Sequence, residues 1–163
     1  MTASTFLRTR GGELVALGNA TGVHATSVDE IEGSVSLRDG ATELLERSAV
    51  TVVVPLWAGL LHGIEVAARG TPYHGHYPDV SLPVSIRELP PRARERYALV
   101  QCGRPDDQRS AAVPWSRLVA AVADGATACA DGIEALAGRY ARELGAMRAH
   151  ASAVRALAAP RPT

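Results

Sequence analysis

The sequence predicts an α+β fold, with a small antiparallel-rich β-sheet in the N-terminal half and helices in the C-terminal half, one of them long. Three observations carry this expectation. Short apolar runs before residue 55 alternate or carry β-branched residues and are separated by turn dipeptides. Five of the ten prolines fall within residues 71–91, which excludes a long helix there. Finally, Ala126, Ile133, Tyr140, Met147 and Val154 recur every seven residues, with Cys129, Leu136, Leu144, Ala151 and Leu157 or Ala158 as a second row. Both rows fall on one side of a helix, an apolar seam roughly 45 Å long at ~1.5 Å per residue.

Residues 13–17 alternate weakly and end at Gly18-Asn19, a turn signal. Ser27-Val28-Asp29-Glu30 fits a capping pattern and opens one helical turn before Gly33. Val35 and Leu37 alternate with Ser34 and Ser36, and Asp39-Gly40 suits a two-residue hairpin pairing Arg38 with Ala41 and Val35 with Leu44. Residues 49–54 read as a strand buried on both faces. Pro55 then suits the first turn of a helix bearing Trp57, Leu60, Leu61 and Ile64 and ending at Gly70. The competing reading is a strand with His62, Ile64, Val66 and Ala68 on one face. Residues 71–91 read as extended loop with a short edge strand over 80–86, followed by a helix over 91–102 and a polar connection over 103–112. Pro114 starts a helix with Trp115, Leu118, Val119 and Val122. Breaks are expected at Asp124-Gly125 or Asp131-Gly132, then one long helix from 126 or 132 to 158, ended by Pro160 and Pro162. Acids at Asp124, Asp131 and Glu134 precede Arg139, Arg142, Arg148 and Arg155, an order that matches the helix dipole. These elements fit one domain, a β-rich body over about 12–112 and a helical region over 113–159.

Composition excludes more than it assigns. The formal net charge is zero, which argues against a nucleic-acid partner held by bulk charge. Arg87, Arg92, Arg94, Arg96 and Arg104 are locally basic, but Glu88 and Glu95 offset them. All 17 basic residues are Arg, a lysine-free composition consistent with a GC-rich bacterial genome. Without lysine, neither a Schiff base to pyridoxal phosphate nor a G-x-x-x-x-G-K-[ST] nucleotide loop can form. No apolar run reaches membrane-spanning length and no signal peptide is recognisable, so a cytoplasmic protein without a membrane partner is expected. Cys102 and Cys129 lack a C-x-x-C partner and read as buried free thiols.

The densest polar-aromatic run is Tyr73-His74-Gly75-His76-Tyr77, bracketed by Pro72 and Pro78 and closed by Asp79. In an extended backbone His74 and His76 point to one side, where neutral imidazoles could ligate a divalent metal or move protons. A third ligand would come from His24, His62, Asp79 or Cys102; the alternative is a turn with solvated rings. His74-Gly75-His76 resembles the zinc-binding H-G-H of pyruvoyl-tetrahydropterin synthases. The Cys preceding it in that family has no counterpart here, so membership does not follow from these three residues. His62 and Glu65 would be helix neighbours, an acid–base pair or an exposed stripe, and His150 lies beside the seam.

Two functions compete. The first is a non-enzymatic assembly or partner-binding protein, a homodimer or a complex formed through the C-terminal helix at Ile133, Leu136, Tyr140, Leu144, Met147 and Val154. The second is a small enzyme or small-molecule-binding protein, of lyase, isomerase or cyclase type, using Tyr73, His74, His76 and Tyr77 with or without a divalent metal.

Overall fold

The computed structural model describes residues 1–159 apart from 24, 81, 93 and 94, so His24, Arg94, Pro160 and Pro162 lie outside the described residues. The chain begins in a strand that the sequence reading leaves unassigned, β1 (Thr2–Arg8), with Thr5 and Leu7 buried. A tight turn over Thr9 to Glu13, closed by the Thr9 N–H on the Glu13 carbonyl at 2.8 Å, leads into β2 (Leu14–Ala16). The expected capping box holds a single 3-10 turn, Val28–Glu30, but Gly33 does not stop it. Gly33 instead lies in β3 (Glu32–Asp39), facing Leu7 on β1. A Cβ there would sit 2.0 Å from the Phe6 carbonyl oxygen, so only glycine fits.

Strand β3 pairs with β1 along one edge, and with β4 (Thr42–Leu45) and β5 (Thr51–Val52) along the other, all antiparallel. The hairpin forms where Asp39-Gly40 predicts one, but in another register. The loop is Gly40-Ala41, Asp39 faces Thr42, and an irregularity brings Leu37 opposite Leu45. Gly40 supplies the positive φ of 57° at the first loop position, and the shift lets both Leu44 and Leu45 be fully buried.

Of the run read as a buried strand, only Thr51–Val52 pair as β5, and the last two residues open helix α1 (Val53–Ala68). The helical reading of Trp57, Leu60, Leu61 and Ile64 holds, and all four are buried. Pro55 sits in the first turn, where its missing N–H breaks no helical bond. Gly70, at φ 84°, ends the segment.

The second sheet is an antiparallel meander of β6 (Tyr73–His76), β7 (Pro83–Arg92), β8 (Glu95–Cys102) and β9 (Arg109–Pro114). This corrects three expectations at once. The loop over 71–91 holds two strands, the stretch read as a helix over 91–102 contains the end of β7 and strand β8 instead, and the connection over 103–112 enters β9. In β8 the inward residues are Ala98, Val100 and Cys102, all buried, against the half-exposed Tyr97, Leu99 and Gln101, a period of two. The two sheets meet where Arg109 on β9 donates to the Glu43 carbonyl of β4 at 3.4 Å and pairs with Glu46.

The C-terminal half is helical, with a long helix α2 (Trp115–Ala137) followed by α3 (Ala141–Arg155) and a 3-10 turn at Ala156–Ala158. Neither Asp-Gly pair breaks the chain. Gly125 and Gly132 lie inside α2 because neighbours pack on their Cα atoms. A Cβ would sit 2.3 Å from Trp57 Cη2 at Gly125 and 2.6 Å from Leu17 Cδ2 at Gly132. The break comes at Gly138 and Tyr140, both left-handed (φ 61° and 69°) on either side of Arg139. There the chain reverses, and α3 runs back antiparallel along α2. Arg148 pairs with Asp131 (2.6 Å) and Glu134, and Arg155 with Asp124. The acids and arginines ordered along one expected rod are therefore counter-ions across a helical hairpin.

The core lies between the helices and the sheets. The fully buried Trp57 donates its indole N–H to Thr5 Oγ1 at 3.0 Å. Both cysteines are free and buried, and burial pushes the thiols up, Cys102 to about 11 and Cys129 to about 12. The C-terminal turn is pinned by the Trp115 indole N–H on the Leu157 carbonyl (2.8 Å), with the Arg96 guanidinium stacked 4.5 Å from the Trp115 ring and paired to Glu88 at 2.7 Å.

Candidate functional site

The His/Tyr run is split by the strand it forms. Along β6 successive side chains alternate faces. Tyr73 turns inward and its ring lies against Gly59 and Gly63 of α1, while His74 and His76 are exposed on the opposite face. Tyr77 is buried beside Cys102, and its hydroxyl has no well-formed hydrogen bond; burial, then the neighbouring thiol, pushes its pKa far up. Burial also raises Tyr73. Neither phenol is therefore poised as a base, and neither stands with the two imidazoles. Of the third ligands considered, Cys102 is buried and His62 lies on α1. Among the described residues no group of three or more His, Cys, Asp or Glu is arranged to hold a metal ion.

A second cluster forms where α1 meets α3. Glu65 Oε2 lies 3.3 Å from His150 Nε2 and 3.9 Å from His62 Nδ1, and the His62 ring meets Tyr73 edge-on with centroids 6.0 Å apart. The sequence places His62 and Glu65 together; the hairpin adds His150. With His62 59% exposed, this trio lies on an open surface rather than in a site that excludes water.

A groove of about 810 Å³ lies between the N-terminal sheet and the helical hairpin. Leu7, Val23 and Ile31 form its floor, and Arg8, Arg10, Thr9, Thr26, Glu30, Glu32 and Arg139 its rim. Arg8 pairs with Glu32 at 2.9 Å. Glu30 accepts from the Thr26 hydroxyl, the Ser27 N–H (3.3 Å) and the Thr26 N–H (3.2 Å), which together lower its pKa. Arg139 donates to the Ala25 carbonyl and stacks 4.7 Å from the Tyr140 ring, whose hydroxyl donates to the same carbonyl at 2.9 Å. Arg10, at the tip of the Thr9-to-Glu13 turn, is exposed and makes no ion pair or side-chain hydrogen bond with the described residues.

Sequence reasoning missed this groove. Arg139 reads there as a dipole partner inside a helix. The available signal was Gly138 ahead of Arg139-Tyr140, a terminator that would have moved the guanidinium out of the helix.

The residues expected at an interface face inward. Ile133, Leu144 and Val154 are fully buried and Met147 nearly so, while Leu136 and Tyr140 are half-buried against the same core. The chain itself covers the seam, so the need for a second copy, which motivated that expectation, is gone.

No protein-family model, curated protein or solved structure significantly matches this chain.

Proposed function

We propose that this is a small-molecule-binding protein whose ligand occupies the groove between the N-terminal sheet and the α2–α3 turn. The supporting observation is the turn itself. Tyr140 is the one non-glycine residue among those described with positive φ, a conformation that costs roughly 1–2 kcal/mol, and it holds Arg139 at the groove rim. About 810 Å³ lies within the usual size range of ligand sites. The described lining offers guanidinium groups, threonine hydroxyls and two carboxylates already engaged by neighbours, with no nucleophile–base pair, which supports binding rather than bond making.

Two free, buried thiols fit a reducing, cytoplasmic setting, and among the described residues no helix is long and apolar enough to cross a membrane. Self-association through Ile133, Leu144 and Val154 is not carried forward, because opening that face means unpacking the hairpin. The test is amide NMR of the full chain with a mixture of small polar fragments. Shifts should cluster at residues 7–12, 22–32 and 139 and vanish in Val23→Trp, which fills the floor. Shifts confined to other regions, or none, reject the reading.

A further inference from the structure

Building on that reading, we propose that the groove takes a polar small molecule bearing a phosphate group, held by Arg10 and Arg139. The argument is a charge accounting of the rim. Among the described residues of the rim, three guanidiniums face two carboxylates. One carboxylate, Glu32, neutralises Arg8 at 2.9 Å. The other, Glu30, spends its acceptor capacity on Thr26 and Ser27, within its own capping box. Arg139 has committed one nitrogen, to the Ala25 carbonyl, and Arg10 none among the described residues. Two guanidiniums with open donors therefore border one polar groove.

A guanidinium fork binds oxyanions in parallel pairs of hydrogen bonds. A carboxylate has two oxygens and one charge and satisfies a single fork. A phosphate monoester, with three terminal oxygens and nearly two charges at neutral pH, can satisfy both. The rest of such a ligand meets hydroxyls at Thr9 and Thr26 rather than a deep apolar pocket, since Leu7 and Ile31 are each 3% exposed. That selects a sugar-phosphate-like body over a lipid.

Isothermal titration calorimetry on the full chain, at matched ionic strength, tests this with ribose 5-phosphate, ribose and citrate as probes. Ribose 5-phosphate should bind, and Arg10→Gln and Arg139→Gln should each weaken it by roughly tenfold or more, the usual loss for a charge-assisted hydrogen bond. Arg69→Gln, an exposed arginine outside the groove, should leave it unchanged. Arg10→Gln carries the test if Arg139→Gln loosens the turn, because Arg10 supports no described contact. Absence of ribose 5-phosphate binding, or equal affinity in wild type and both variants, overturns the phosphate assignment. If ribose or citrate nevertheless shifts the Gly22 and Val23 amides, the binding reading survives without it. If no probe moves those signals, both fall.

Discussion

Replacing Ile133 by alanine separates a covered seam from an assembling one. Ile133 is fully buried in the chain's own core. Isoleucine to alanine removes three carbons, about 2.4 kcal/mol of transfer free energy at ~0.8 kcal/mol each. Incomplete collapse of the resulting cavity brings the expected loss to about 3–4 kcal/mol. With a urea dependence of about 2 kcal/mol per molar for a chain of this size, the unfolding midpoint should fall by roughly 1.5–2 M. The assay is urea unfolding followed by circular dichroism at several protein concentrations, alongside sedimentation equilibrium of the wild type. The midpoint should not depend on concentration, and the wild type should sediment as a monomer. A dimer that the substitution converts to a stable folded monomer, with little change in midpoint, would refute the inward placement of the seam.

Three further outcomes are expected. Gly125→Ala gains about 1 kcal/mol of helix propensity. Its Cβ nonetheless meets the Trp57 ring, so thermal unfolding should show a net loss of roughly 1–2 kcal/mol. The double variant His74→Ala/His76→Ala should melt within about 0.5 kcal/mol of the wild type and bind the same probes, because both rings are exposed on an outer face. Glu30 has a folded pKa below its unfolded value, so its contribution is present above about pH 5 and lost as pH falls through the depressed pKa. Stability of Glu30→Gln should therefore depend less steeply on pH than that of the wild type as the pH falls below about 5.

Local chemistry marks some elements. The capping box at Ser27 and Glu30 and the spacing of Trp57, Leu60, Leu61 and Ile64 each encode a structure within one turn or one helix. Strand β8 was not legible, because Ala98 and Leu99 are good helix formers behind a proline and only pairing with β7 and β9 makes their alternation matter. The heptad rows read as an apolar stripe needing cover from a second copy or partner, yet periodicity says that a stripe is covered and not what covers it. Gly125 and Gly132 looked like breaks because the Trp57 and Leu17 side chains that need them come from distant parts of the chain. The groove lies deepest beyond sequence: Arg10 and Arg139 are 129 positions apart, and only the folded hairpin brings both to one rim.

Strand β6 has a consequence of its own. It closes the open end of the second sheet with four residues between Pro72 and Pro78. Proline lacks the amide a docking strand would need, and so short a rail offers few rungs. At the far end of the other sheet, β2 is only three residues long, while β4 and β9, which could have been vulnerable flanks, abut each other. Among the described residues there is thus no long open rail on which copies could stack into fibrils. The stretch richest in imidazole and phenol is a short, proline-bracketed sheet edge.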